Sequence, residues 1–168
     1  APVTATNRTI TLPDATGTLL STATPGVPIG GPAFSAVPST PQTVSSNTAT
    51  KIQFQSEEWD TNSCFDSTTN SRFMPTVAGY YAVNASAQAA SNFTTGFASI
   101  YKNGGVVKQG MVTGGVSGTT GTFSVSAQVL LNGSTDYIEA YIYISTGQSL
   151  SSNGAATYFQ AAMVRSAT

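Results

Sequence analysis

Between Tyr81 and Ala89 the odd positions are all apolar, Tyr81, Val83, Ala85, Ala87 and Ala89, while Asn84, Ser86 and Gln88 fall between them. A period of two places such residues on one face of an extended strand and leaves a helix without an apolar stripe. The same period returns at Ile52 and Phe54, at Phe97, Ser99 and Tyr101, and at Phe123, Val125, Ala127 and Val129. Tyr137 to Ile144 and Tyr158 to Val164 are further β-branched and aromatic runs. Asn103-Gly104 and Asn132-Gly133 separate strands with residues that tolerate positive φ, so each predicts a tight turn. No window repeats apolar residues at three and four, and the expected class is all-β, a sandwich or jelly roll.

Residues 1–32 follow a different rule. Pro2, Pro13, Pro25, Pro28 and Pro32 are too closely spaced for a helix or a central strand. Within this Pro- and Thr-rich stretch, Arg8 to Leu12 alternates as a short strand and Thr24 to Pro32 has the composition of a polyproline linker. The organisation expected is an extended segment over 1–32 and one head domain over 33–168.

Charge narrows the function. Only 8% of residues are charged, net −1, and the six cations are scattered from Arg8 to Arg165. No basic stripe exists for a phosphate backbone, and nucleic acid is not an expected partner. Weak like-charge repulsion favours association between copies. No apolar run approaches the roughly 20 residues of a membrane helix, so membrane insertion is not expected either.

Reactive groups are sparse. The absence of His removes the commonest general base and metal ligand. Glu57, Glu58 and Asp60 are the one carboxylate cluster. A glycosidase needs two carboxyls about 5 to 9.5 Å apart, so a depolymerase resting on Glu58 and Asp60 is a third reading, behind a solvated strand end. Their spacing lacks a calcium-loop pattern, and neither metal nor cofactor is expected. Cys64 has no His partner and reads as a packed thiol. Trp59 stands apart, flanked by Glu58 and Asp60; it is either an exposed platform for a sugar ring or a cover over the sandwich end.

Four segments, in order, resemble the C1q and tumour-necrosis-factor-like jelly roll. They are Ala33-Phe34-Ser35-Ala36; Phe65-Asp66 with Arg72-Phe73-Met74-Pro75 and Ala78-Gly79-Tyr80-Tyr81; Ser99 to Gly104; and Tyr158-Phe159-Gln160-Ala161. The resemblance implies a ten-stranded sandwich that forms a homotrimer, sits at the end of a stalk, and binds ligands without catalysis. Arg8 to Leu19 resembles a segment of bacteriophage tail fibres, where it closes a shaft module. With a chain that starts at Ala1, the two resemblances together imply a processed or excised viral fibre tip whose shaft lies upstream.

The function expected is therefore a homotrimeric phage fibre tip on the virion, extracellular, that binds a host-cell surface glycan or protein. The alternative is a structural trimerisation cap without receptor contact. Long polar loops at 59–71, 91–95, 111–122 and 145–156 are the expected contact regions, with Trp59, Asp60, Asn62, Asn92 and Asn153 as receptor-binding residues. Phe34, Tyr81, Phe97, Tyr101, Tyr141 and Phe159 are expected in the core or the trimer seam.

Overall fold

The period-two segments become strands in the computed structural model, which describes residues 30–89, 93–113 and 120–167. In chain order the strands are β1 (Ala33–Val37), β2 (Gln42–Val44), β3 (Thr50–Lys51), β4 (Ser56–Asp60), β5 (Phe65–Asp66), β6 (Arg72–Phe73) and β7 (Gly79–Ala89). They continue as β8 (Thr95–Lys102), β9 (Gly105–Thr113), β10 (Gly121–Leu131), β11 (Ile138–Ile144), β12 (Gln148–Leu150) and β13 (Tyr158–Ser166). Among the described residues there is no helix, and ten strands have three residues or more. The short β3, β5 and β6 are two-residue rungs added to the ten expected.

Two antiparallel sheets face each other. In the first, β7 pairs with β10 along one side and with β13 along the other, and β13 leads on to β1 and then β4. β12 joins β7 at Leu150 opposite Ala89 and carries β2. The second sheet runs β5, β6, β11, β8, β9, with β3 also on β11. The predicted Asn103-Gly104 turn joins β8 to β9 with φ of 51° and 80°, values that Gly adopts freely and Asn tolerates.

The core lies between the sheets and is aromatic at one end. Phe34 stacks on Phe65 and Phe73 with centroids 4.5 and 4.6 Å apart and meets Phe159 edge-on at 5.0 Å. Tyr81 is fully buried, donates its hydroxyl to the Val77 carbonyl at 2.7 Å, and has its pKa pushed up to about 12 by burial and then by the neighbouring Cys64. Ile138, Ala140, Ile142 and Ile144 supply the inward face of β11. At the other end Phe93 and Phe123 pack at 4.8 Å, and a side chain at Gly96 would collide with the Phe123 ring.

Of the aromatics expected in the core or the trimer seam, Phe34, Tyr81 and Phe159 are fully buried between the sheets. Phe97, Tyr101 and Tyr141 are not core. They are half-buried on the outward face of the second sheet, where Tyr101 stacks on Tyr141 at 4.0 Å and Phe97 on Tyr143 at 4.7 Å. Their strands are apolar on both faces, and the branched aliphatic side chains fill the interior instead.

The chain enters the first sheet beside its own last strand. The Pro32 carbonyl accepts from Met163 N at 3.2 Å, and Ala33 then pairs with Ala162. The expected Arg8–Leu12 strand, the Thr24–Ile29 part of the linker and Asn92 lie outside the described residues.

Candidate functional site

β4 is where the sequence concentrated its candidate chemistry, and each of its carboxylates has a local partner. Glu57 Oε1 accepts from the Ser67 hydroxyl at 2.6 Å, and Glu58 Oε2 accepts from the Ser35 hydroxyl at 2.7 Å. Asp60 uses both oxygens on backbone, accepting from Asn62 N at 3.1 Å and Phe65 N at 2.7 Å. That carboxylate closes the loop between β4 and β5, with Asn62 inside it accepting from Thr61 Oγ1 at 3.0 Å. Among the described residues no three His, Cys, Asp or Glu side chains converge as a metal site.

Two further carboxylates, Asp66 and Asp136, also fix turns. Asp66 accepts from the backbone N–H groups of Thr69 and Thr68 and from the Asn70 carboxamide, and the bonds from Thr69 and Asn70 hold its pKa below the ordinary 3.8. Asp136 sits 2.8 Å from Lys102 Nζ and accepts from Asn103 Nδ2 at 2.7 Å, which lowers its pKa in the same way. On the second sheet Lys51 pairs with Glu139 at 3.1 Å, and the Arg72 guanidinium lies 4.9 Å from the centre of the Tyr137 ring. Tyr141, beside Glu139, has its pKa raised by burial and then by that carboxylate.

Trp59 is 47% exposed. Strand register places it opposite Ser35 of β1, which pairs with Gln160 of β13, which pairs with Asn84 of β7, which pairs with Ser126 of β10. Burial alternates along β7, with Tyr81, Val83 and Ala85 turned inward, so Ala82 and Asn84 face out. The next row across the sheet is Ala33, Ala162, Ala82 and Gln128. Methyl-sized side chains beside an indole and two carboxamides leave a hollow of about 240 Å³ lined by Trp59, Ala82, Asn84, Gln160, Ala161 and Ala162.

The residues predicted for binding therefore do not form one site. Trp59, Asp60 and Asn62 gather where β4 ends, at the Ala33 end of β1, to whose carbonyl Thr61 N donates at 3.0 Å. Asn153 belongs to the β12–β13 loop, which packs through Gly154 against Val37 at the other end of β1. Its side-chain oxygen accepts from Ala155 N at 3.1 Å and its carbonyl accepts from Ala156 N and Thr157 N at 2.9 Å, so it shapes a turn. Asn84, Gln160, Ala82 and Ala162 were missed. Their outward positions in predicted strands were visible, but their meeting with Trp59 depends on register across four strands.

A separate apolar cluster sits four residues along the same face. Tyr80 pairs with Leu130 on one side and with Arg165 on the other; Tyr80 and Leu130 are 42% and 46% exposed, and Val164 at the adjoining bulge is 55% exposed. Among the described residues no helix is long and apolar enough to cross a membrane.

No protein-family model matches this sequence, and no curated protein matches it. Solved structures do. Murine APRIL, in a crystal structure at pH 5.0, superposes with a TM-score of 0.64 at 11% identity, over 80% of this chain and 99% of that one. The Eiger TNF of S. frugiperda superposes with a TM-score of 0.65 at 10% identity, over 82% of this chain and 94% of that one. At that identity the likeness concerns architecture alone, and the architecture is a TNF-like jelly-roll sandwich.

Proposed function

We propose that this chain is the head of a homotrimeric viral fibre, at the tip of a bacteriophage tail or capsid fibre, and that it binds a receptor on the host-cell surface, foremost a polysaccharide. The observation that carries the binding role is Trp59, 47% exposed on β4, the edge strand of its sheet. Its indole offers a flat apolar surface beside the polar loop that Asp60 closes. Trimerisation is supported by the TNF-like fold, by the low charge and by the exposed Tyr80, Leu130 and Val164. Three copies then multiply a weak site by avidity. The viral setting rests on the Arg8–Leu19 resemblance.

A non-catalytic role is supported by the commitments of Glu57, Glu58 and Asp60 to local hydrogen bonds. The apolar Tyr80–Leu130 cluster favours the second reading, a trimerisation cap. A fluorescently labelled full chain, applied to susceptible cells, separates the readings. Decoration of the cells is the expected result. A trimer by light scattering that decorates no susceptible strain leaves the cap. Release of reducing ends from host polysaccharide, lost on Glu58→Gln or Asp60→Asn, would replace both with a depolymerase.

A further inference from the structure

Three Asn-Gly pairs occur in the sequence, Asn103-Gly104, Asn132-Gly133 and Asn153-Gly154, and each lies between strands with its Asn exposed. Asparagine loses its amide most readily in this pair, because glycine has no side chain to keep its backbone nitrogen from the preceding carboxamide. The fold decides whether that attack occurs, since the carboxamide must first leave whatever holds it. At Asn103 it is held from both ends: Nδ2 donates to Asp136 Oδ1 at 2.7 Å and Oδ1 accepts from Tyr137 N at 3.0 Å. At Asn132 four bonds hold it, with Oδ1 accepting from Ser134 N, Thr135 N and Asp136 N and Nδ2 donating to Thr135 Oγ1. Gly133 also lies against the backbone of Val77 and Ala78, which leaves that peptide no room to turn. Asn153 is held least. Among the described residues its carboxamide makes one bond, from Ala155 N at 3.1 Å, and Gly154 rests on the Val37 side chain rather than on backbone.

We infer that Asn153 is the site at which this protein modifies itself, by losing its amide to water. The Gly154 nitrogen bonds to Asn153 Cγ, the Cγ–Nδ2 bond breaks, and Nδ2 leaves as ammonia with the proton from the Gly154 N–H. Water then opens the resulting imide at Cγ, giving aspartate, or at the main-chain carbonyl, giving isoaspartate. Either product adds one negative charge to a chain of net charge −1. The two differ in what they do to the turn. Aspartate still accepts from Ala155 N, whereas isoaspartate lengthens by a methylene the main chain of a turn in which the Asn153 carbonyl accepts from Ala156 N and Thr157 N. Thr157 is buried and its hydroxyl accepts from Gln88 N, so the displacement reaches β7. The loop lies at the other end of β1 from the Tyr80–Leu130 cluster, so association through that cluster leaves Asn153 in water.

The full chain, held at mildly alkaline pH and sampled over weeks, is digested after aromatic residues, which places Asn103, Asn132 and Asn153 on separate peptides. Mass spectrometry is expected to show an acid in place of an amide first at Asn153, at least about fivefold faster than at Asn103, which must break one hydrogen bond more. A parallel incubation in denaturant should bring the three to similar rates. Asp136→Ala removes one of the two bonds on Asn103 and should raise the rate there about fivefold in the folded protein. Isoaspartate at Asn153, read by methyl transfer to its free carboxylate, should lower the melting midpoint, and Asn153→Asp should not.

Conversion that appears first at Asn103 or Asn132 in the folded protein overturns the inference. So does a folded protein in which all three carboxamides persist while the denatured one converts. The same order of rates in denaturant would mean that neighbouring residues, and not the fold, select the site, and would overturn it as well.

Discussion

Asn103 and Asp136 lock two turns together: Asn103 Nδ2 donates to Asp136 Oδ1 at 2.7 Å, while Tyr137 N donates back to Asn103 Oδ1 at 3.0 Å. Lys102 Nζ stands 2.8 Å from the other carboxylate oxygen. The pKa of Asp136 is held below 3.8 chiefly by Lys102 and then by Asn103, so the folded state favours its ionised form. A depressed folded-state pKa adds stability that is complete above the unfolded value and is lost as pH falls from there through the folded one. Asp66 acts with the same sign. Thermal midpoints measured from pH 7 down to pH 2 are expected to fall below about pH 4, and Asp136→Asn should flatten that fall while lowering the midpoint at pH 7. An unchanged acid profile in the variant would show that the carboxylate contributes nothing.

The inward and outward aromatics should separate by their energetic cost. Phe34 touches Phe65, Phe73 and Phe159 in a closed core, so Phe34→Ala should lose about 3 to 5 kcal/mol in urea unfolding. Tyr101 lies half-exposed on Tyr141, and Tyr101→Ala should lose only about 0.5 to 1.5 kcal/mol. Equal losses would mean that the outer ring is buried in the folded protein, as it would be against another copy.

That contrast shows what was legible in the sequence. Alternation at Tyr81–Ala89 and the Asn103-Gly104 pair identified strands and a turn, because period and positive φ are local properties. Alternation alone does not say which face turns inward. β11 carries large side chains on both sides, and its Ile residues took the interior while Tyr141 and Tyr143 were left outside. The Trp59 hollow was half legible. Trp59 stood out beside Glu58 and Asp60, but Asn84 and Gln160 lie far away along the chain and reach it only through the register of β4, β1, β13 and β7.

Tyr81 predicts behaviour in alkali. Its folded pKa is raised to about 12 by burial, against an ordinary 10.0, so the neutral phenol is favoured in the fold. The stability this adds is complete below pH 10 and declines as pH rises from 10 towards 12, because the unfolded chain ionises first. Denaturant midpoints should therefore drop across that interval. Tyr81→Phe should lessen the drop while costing about 1 kcal/mol at neutral pH for the lost hydrogen bond to Val77. Tyrosine ionisation followed by ultraviolet absorption should show one phenol titrating only as the protein unfolds.

Self-association should depend on the Tyr80–Leu130 cluster. Tyr80 stands exposed on β7 between two strands that carry the exposed Leu130 and Val164, and a chain of net charge −1 offers little repulsion to oppose their burial. Leu130→Lys places a charge within that cluster, beside Tyr80. Burying it unpaired between copies should cost at least about 2 kcal/mol, the scale of an interface hot spot, and raise the dissociation constant roughly 30-fold. Sedimentation at micromolar concentration is expected to show trimers for the parent chain and monomers for the variant, with the same β-sheet circular dichroism. Asn153→Lys, in the loop at the far end of β1, should leave the trimer intact. A Leu130→Lys protein that sediments as the parent does would move the interface off this cluster.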